Sequence, residues 1–152
     1  MMLGRVLSKP SNKRLLRQLN AMIAIFVVAH LPLASALESC ARHVLGAEPN
    51  IQVFDIQSSE CATESSPRLA AAMIAADQGD GVLVLTDLPG ATPSNIAATA
   101  SAYVRERGVA CQVLGGVNPS MLLKAITYRT AALDIVTDKA LAGATQAVLR
   151  VD

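Results

Sequence analysis

Aromatic residues and charged residues are both scarce in this chain of 152 residues. Phe, Tyr and Trp together make up 3% of the sequence, with no Trp at all, and charged residues make up 16%. So few aromatic rings provide no stacking platform for nucleic-acid bases. After the first twenty residues, eight basic residues stand against twelve acidic ones, so there is no basic stripe for phosphate backbones either. We therefore expect no nucleic-acid partner.

Cysteine and histidine are also rare. Cys40, Cys61 and Cys111 are widely spaced and odd in number, which excludes a full disulfide framework and favours a reducing compartment. The two histidines, His30 and His43, lack the spacing of a metal site, and no G-x-S-x-G nucleophile motif occurs. We expect no metal and no cofactor, and a cytoplasmic location.

Acidic residues are absent before Glu38, whereas five of the thirteen basic residues lie among the first twenty. The apolar run at residues 22–36 that follows has two interpretations. With the basic segment before it and the small-x-small residues 34–36, it is typical of a signal peptide. Alternatively, residues 22–29 are a buried strand that ends at His30, and residues 1–21 are a basic, disordered extension. Other apolar runs are shorter than the ~20 residues that span a bilayer, so we expect no membrane insertion.

Strand and helix patterns alternate from residue 22 to the end of the chain. Strands are predicted at residues 22–29, 51–56, 82–86 and 110–114, helices at 33–45, 69–76, 93–107, 119–129 and 138–146, and a polar loop at 57–67. Apolar strands separated by helices predict one α/β domain, residues 22–152, with a three-layer open sheet of four parallel strands and helices on both faces. Residues 147–151 are a candidate for an additional, antiparallel edge strand.

Chemically versatile residues follow three of the predicted strands. His30 ends the first strand, Asp87 follows the third, and the glycine-rich residues 115–118 follow the fourth. Ligands of open α/β sheets bind at this end of the strands. A carboxylate that holds one nitrogen of an imidazole leaves the other nitrogen free for nucleophilic attack, which suits a histidine that accepts a phosphoryl group. We expect His43, within a helix, to be structural.

Two helix starts lie at the same end of the predicted sheet. Thr92 and Asn118 each stand as a predicted N-cap and are each followed by proline, which favours the first turn of a helix. Free backbone N–H groups and the helix dipole at such ends favour phosphate binding. Gly90, just before the first of them, permits close approach of the backbone.

Four blocks of sequence carry a resemblance to a known family. They are IAIFVVAH (23–30), HVLG (43–46), GVLVLTDLPGATPSN (81–95) and GVNPSMLLKAITYR (116–129). In this order they resemble the EIIA domain of mannose-type sugar phosphotransferase systems, whose pattern has a histidine after the first strand, a helix ending in LG, D-x-x-G-G-[ST]-P-x-N after the third strand and G-V-N-x-P-M-L after the fourth. The resemblance covers residues 22 to about 129.

The resemblance implies a role for individual residues. His30 would accept a phosphoryl group from phospho-HPr and donate it to an EIIB partner on a separate chain. Asp87 would orient the ring through Nδ1 and leave Nε2 to be phosphorylated, while Gly90 and Thr92 would help to hold the phosphoryl oxygens. No metal or nucleotide is implied. The family resemblance also implies a homodimer through a C-terminal strand, for which residues 147–151 are the candidate.

This sequence departs from the family pattern near the histidine. Leu31 and Pro32 stand where the family has a small residue after the histidine, Ala91 replaces the second glycine, and Pro89 replaces a bulky residue. These departures bear on partner specificity more than on phosphoryl transfer.

The resemblance favours the strand interpretation of residues 22–36. Cleavage after Ala36 would remove the first strand and His30 but leave the other blocks intact. Two alternatives to a phosphocarrier stay open: a regulatory, phospho-sensing binding module without sugar transport, and a secreted protein with a cleaved signal peptide.

Overall fold

A computed structural model describes residues 21–152, which form a four-stranded parallel sheet with five helices. The elements are β1 (Ala24–His30), α1 (Leu33–Leu45), β2 (Gln52–Ile56), α2 (Ala62–Ala76), β3 (Val82–Thr86), α3 (Thr92–Arg105), β4 (Cys111–Leu114), α4 (Pro119–Tyr128) and α5 (Leu133–Gln146). The predicted α/β class is confirmed. The expected basic extension lies, apart from residue 21, outside the described residues.

The sheet is buried on both faces. Alternate residues of β1 point to opposite sides, so Ile25 and Val27 pack under α1, α4 and α5, whereas Phe26 and Val28 pack under α2 and α3. All four side chains are at most 1% exposed. Double burial explains why β1 and β3 are continuous apolar runs rather than alternating ones. None of the helices in residues 21–152 is long and apolar enough to span a bilayer.

All strands are parallel, in the order β2-β1-β3-β4, and the side to which the chain crosses for its next strand changes between β1 and β3. From β1 the chain crosses to β2 on one side, and from β3 it crosses to β4 on the other side. The registers Val28 with Thr86 and His30 with Ile56 align the carboxyl ends of β1, β2 and β3. In open α/β sheets the crevice at such a reversal is the usual ligand site.

Helix α2 begins earlier than predicted. The sequence predicts a loop at residues 57–67 and a helix from residue 69, but the helix starts at Ala62 and contains Pro67. Tertiary packing accounts for the difference, because Ser65 and Ser66 are buried, and the Ser66 hydroxyl donates to the carbonyl of Ile96 on α3 (3.3 Å). Packing of this kind overrides weak local propensity.

The C-terminal region also differs from the prediction. Helix α5 begins at Leu133 instead of residue 138, since Val136 is fully buried in the core. Residues 147–151, all described, do not form the candidate edge strand. The N–H of Val148 bonds back to the Thr145 carbonyl (3.3 Å), so the chain curls at the end of α5 instead of extending along the sheet. The other strands and helices start and end within two residues of their predicted positions.

Candidate functional site

The side chains of His30 and Asp87 meet at the carboxyl ends of β1 and β3. His30 is the last residue of β1, and Asp87 directly follows β3, its hydrogen-bonded neighbour. His30 Nδ1 lies 2.7 Å from Asp87 Oδ2. The carboxylate is 8% exposed, whereas the imidazole is 46% exposed. The pair therefore combines a buried anchor with a ring that a partner can reach.

Asp87 holds His30 through both its backbone and its ring. Oδ2 accepts the backbone N–H of His30 (2.9 Å) as well as contacting the ring, and Oδ1 accepts the N–H of Leu88 (2.7 Å). Burial alone raises the pKa of Asp87, but these hydrogen bonds and the charge of His30 outweigh it, and the pKa lies below its ordinary value of 3.8. Asp87 is therefore an anion at neutral pH.

The ionised carboxylate determines which ring nitrogen carries the proton. A carboxylate can only accept hydrogen bonds, so a neutral His30 donates through Nδ1–H and keeps its lone pair on Nε2. The backbone and ring contacts to the same oxygen fix the position of the ring as well as its tautomer. The arrangement leaves the Nε2 lone pair free of Asp87 at the crevice of the sheet, and a lone pair of this kind can act as a nucleophile.

The loop after Asp87 leads into α3 through a glycine with left-handed backbone. Gly90 has φ +86°, donates its N–H to Ser94 Oγ (2.8 Å) and accepts from Asn95 Nδ2 (3.2 Å). The predicted N-cap at Thr92 is wrong, since Ala91 is the N-cap without a capping side chain, and Thr92 is the first helical residue. Thr92 cannot cap because its backbone is already helical.

The loop after β4 is joined to the end of β3. Gly116 N–H donates to the Asp87 carbonyl (2.6 Å), and Val117 N–H donates to the Thr86 carbonyl (2.8 Å). Asn118 caps α4 by accepting the N–H of Met121 (2.9 Å), as the sequence predicts. The hydrogen bonds from Gly116 and Val117 attach the end of β3 to this loop on the side of β3 that faces β4, whereas His30 lies on the side that faces β1.

Gly115 allows the two loops to pack closely. A Cβ placed on this residue would lie 2.6 Å from Cγ of Pro89, closer than two carbon atoms approach. Pro89 is one of the departures from the family pattern. Its ring fits in this position because residue 115 has no side chain. The pair sets the distance between the loop that holds Asp87 and the loop after β4.

The structure brings together some of the predicted site residues. His30 and Asp87 are in contact, whereas among the described residues no hydrogen bond joins Gly90 or Thr92 to His30. His43 is exposed in the last turn of α1, at the far end of that helix from His30. No group of three or more His, Cys, Asp or Glu side chains within residues 21–152 is arranged to hold a metal.

Asp55 was not identified from the sequence. It lies on β2 beside Ala29, and its carboxylate accepts the backbone N–H (3.2 Å) and the hydroxyl of Ser35 in the first turn of α1. Leu31 N–H also bonds to β2, at the carbonyl of Ile56 (3.1 Å). The turn after His30 is thus fixed to β2 at two points. A single Asp in the apolar strand IQVFDI was the available signal.

Comparisons with known proteins agree with the fold. The family model described as the PTS system fructose IIA component matches residues 24–141. A phosphotransferase system component EIIA from Streptococcus agalactiae shares 27% sequence identity and has a TM-score of 0.75, over 85% of this chain and 97% of its own. No curated protein matches the chain.

A second solved structure supports the fold alone. The mannose/sorbose specific IIA subunit from Enterococcus faecalis has a TM-score of 0.76 at 21% identity, over 86% of this chain and 96% of its own. At that identity the likeness concerns the arrangement of strands and helices, and both comparisons span nearly the whole of the matched structures.

Proposed function

Because the chain belongs to the mannose-type EIIA family of phosphotransferase-system components, we propose that it is a histidine phosphocarrier. It accepts a phosphoryl group from phospho-HPr on Nε2 of His30 and passes it to an EIIB component on a separate chain. The observation that carries the proposal is the 2.7 Å contact between His30 Nδ1 and a buried, ionised Asp87. Such a contact leaves one nitrogen as the nucleophile.

The transfer exchanges one phosphorus–nitrogen bond for another. The Nε2 lone pair of His30 attacks phosphorus while the bond to the donor's histidine breaks. The donor ring, protonated on its other nitrogen, leaves as neutral imidazole, and the positive charge passes to the phosphorylated ring of His30. The negative charge of Asp87 stabilises this cation through Nδ1–H. When an EIIB side chain takes the group, the bond between phosphorus and Nε2 of His30 breaks as a new bond to that side chain forms, and His30 leaves as neutral imidazole with its proton on Nδ1.

The phosphoryl oxygens are held at the start of α3. Gly90 and Thr92 lie on the segment that joins Asp87 to this helix, where the helix dipole favours an anion. The N-terminus of α1 is a weaker candidate, because the carboxylate of Asp55 already accepts the N–H of Ser35 there. Phosphoryl binding at Gly90 requires its N–H to leave Ser94 Oγ.

The proposal includes the setting in which the protein works. We place it in the cytoplasm, where phospho-HPr and EIIB would meet it, and we expect no cofactor. The homodimer that the family resemblance implies would form through the C-terminal residues, where Val148, Leu149 and Val151 are 65–94% exposed. Apolar side chains this exposed are typical of residues that a second chain covers.

Phosphorylation in vitro tests the proposed function. The chain is incubated with phosphoenolpyruvate, Enzyme I and HPr, and its intact mass is measured. The wild type and His43→Ala gain one phosphoryl group, because His43 is exposed and distant from Asp87, whereas His30→Ala gains none. A phosphoryl group retained in His30→Ala contradicts the proposal. A phosphoryl group on His30 that no EIIB protein removes would favour the regulatory alternative instead.

A further inference from the structure

Two helices begin close to His30 along the chain. Helix α1 begins at Leu33, three residues after His30, and so within about 11 Å of it. Helix α3 begins at Thr92, shortly after Asp87, whose carboxylate contacts the His30 ring. The start of a helix carries a partial positive charge. Both helix starts are therefore able to attract the phosphoryl group that His30 accepts.

A carboxylate is bound to the start of α1. Asp55 on β2 accepts the backbone N–H (3.2 Å) and the hydroxyl of Ser35, the third residue of that helix. Neither α1 nor α3 has an acidic residue in its own first turn, and neither N-cap residue has a capping side chain. Asp87, which precedes α3, directs its oxygens at His30 and Leu88 instead. The two helix starts thus differ because of Asp55.

Asp55 also lies beside the reacting histidine. In the pairing of β1 with β2 it is opposite Ala29, and the next pair is His30 with Ile56. Neighbouring strands are about 4.8 Å apart. A charge acts over roughly 8 Å at physiological salt, and it is screened less where it is partly buried, as that of Asp55 is. The charge of Asp55 therefore acts on a phosphoryl group carried by His30.

This carboxylate has two effects on such a phosphoryl group. It occupies the N–H of Ser35 and offsets the positive end of α1. It also repels the negative phosphoryl oxygens, because like charges at short range raise the energy of each other. Both effects make the start of α1 the less favourable side for the group and leave the start of α3 as the more favourable one.

We propose that Asp55 is a positioning residue, which turns the phosphoryl group of phosphorylated His30 away from α1 and towards the start of α3, and whose charge makes this phosphohistidine a better donor. The inference rests on the proposed function and adds a second carboxylate to it. Asp87 follows β3, on one side of β1, and holds the ring, whereas Asp55 on β2, on the other side, acts on the phosphoryl group. Repulsion raises the free energy of the phosphorylated chain, so the group passes on more readily.

Removal of the charge without loss of the hydrogen bonds tests the proposal. In Asp55→Asn the amide oxygen still accepts the Ser35 N–H, and the Ser35 hydroxyl, which can also accept, faces the amide nitrogen. Full-length wild type and variants are mixed with phospho-HPr, and the phosphorylated fraction of each protein at equilibrium is measured by intact mass. One phosphorus–nitrogen bond breaks on HPr as one forms on His30, so these fractions give an equilibrium constant.

Asp55→Asn shifts this equilibrium constant about 3–10-fold towards the phosphorylated chain, the range expected for one charge at a helix end. Asp55→Glu, the conservative variant, keeps the charge and gives a constant closer to that of the wild type than Asp55→Asn does. The matched control is Asp138→Asn, which removes the same charge from an exposed position on α5 and leaves the constant unchanged. Thermal melts verify that each variant is folded.

Nuclear magnetic resonance gives the side on which the phosphoryl group lies. On phosphorylation of the wild type, the backbone N–H signals of Thr92 and Ser94 in α3 shift more than those of Leu33 and Ala34 in α1. In Asp55→Asn the difference between the two helices becomes smaller. This measurement on the wild type tests the proposal independently of how well a variant folds.

Any of four results would overturn the proposal. An unchanged equilibrium constant in Asp55→Asn shows that the charge of Asp55 does not act on the phosphoryl group, and an equal shift in Asp138→Asn assigns the effect to net charge. Larger N–H shifts in α1 than in α3 of the wild type place the group on the opposite side. A wild type that gains no phosphoryl group on His30 removes the proposed function itself, and this inference with it.

Discussion

At the scale of single residues, Asp87 fixes more than the ring of His30. Its two oxygens accept three donors, two of which belong to His30 and one to Leu88. A charged acceptor with several hydrogen bonds both lowers its own pKa and fixes the groups that it contacts. The tautomer of His30, the place of its ring and the charge that faces it therefore depend on one buried carboxylate.

Replacement of Asp87 by Asn tests this role. The amide keeps the shape but loses the charge, and it can present an N–H where Nδ1–H requires an acceptor. We expect Asp87→Asn to fold and to accept phosphate from phospho-HPr at least about 10-fold more slowly, the usual cost of losing a positioned proton partner. Rapid-quench phosphorylation measures the rate. Asp138→Asn, an exposed substitution on α5, is the control and keeps the wild-type rate.

A lowered melting temperature with an unchanged rate would contradict that prediction. Such a result assigns Asp87 to the turn after β3 and removes it from the chemistry.

The lowered pKa of Asp87 also predicts a pH dependence of stability. Its folded pKa lies below the ordinary value of 3.8, so the folded state favours the ionised form. The stability that this form contributes is complete above the unfolded pKa and is lost as the pH falls through the folded pKa. The difference in free energy of unfolding between wild type and Asp87→Asn should be constant above about pH 5 and shrink below it. Urea titrations across this range measure it, and a difference that grows on acidification would reverse the sign of the shift.

The two contacting residues of the site were predictable, and their surroundings were not. His30 and Asp87 each follow an apolar strand, and parallel neighbours align such ends. Thr92 was misassigned as a cap because the helix begins one residue earlier than a Thr-Pro pair indicates. Asp55 was missed because its bond to Ser35 joins residues twenty positions apart, which no local pattern reveals.

At the scale of secondary-structure elements, the bond between Asp55 and Ser35 takes the place of a missing helix cap. Pro32 is the N-cap of α1 and has no capping side chain. The Asp55 carboxylate from β2 accepts the N–H and hydroxyl of Ser35 instead. A strand thus supplies the acceptor that helix termini usually find within their own chain segment.

Asp55→Ala should therefore destabilise the protein by about 1–2 kcal/mol, the range for loss of a cap. Ser35→Ala should lower the free energy of unfolding by less than Asp55→Ala does. The backbone N–H of residue 35 still donates to the Asp55 carboxylate in that variant. The double variant should be no less stable than Asp55→Ala alone, since the two changes remove the same interaction. Urea unfolding of all three measures these differences. Additive losses in the double variant would show that the two residues act independently.

The ends of helices were predicted well where neighbouring residues determine them, and poorly where burial against other elements determines them. Helix α1 ends at Gly46 with left-handed backbone (φ +66°), and the sequence predicts that end correctly. Pro67 and the serines beside it favour a loop by composition, yet packing against α3 makes them helical. The start of α5 was missed for the same reason, because Val136 shows its burial only in the folded chain.

At the scale of the whole molecule, the two helical layers leave His30 exposed at the carboxyl end of the sheet, and the last residues of the chain are exposed as well. The reversal of strand order places His30 between the layers. The exposed residues Val148, Leu149 and Val151 follow the last helix. Because Asn118 Nδ2 donates to the Ala144 carbonyl (3.3 Å), helix α5 ends at the carboxyl end of the sheet, the end at which His30 lies.

The proposed homodimer predicts a change in molecular mass upon substitution in this tail. Val148→Asp with Leu149→Asp should yield a monomer, because charged side chains resist burial between two chains. Val44→Asp with Leu45→Asp, at the exposed end of α1, is the matched control and should leave the dimer intact. Light scattering after gel filtration gives the mass. A wild-type chain that is already monomeric at high concentration would contradict the proposal.

The central claim, that Nε2 of His30 is the nucleophile, is tested most directly by nuclear magnetic resonance of the phosphorylated protein. With isotope-labelled imidazole nitrogens, the coupling to phosphorus identifies which nitrogen of which histidine carries the group. The account predicts a phosphorus bond to Nε2 of His30 and a protonated Nδ1 facing Asp87, because that carboxylate occupies the Nδ1 side of the ring at 2.7 Å. A phosphoryl group on Nδ1 of His30, or on either nitrogen of His43, would contradict it.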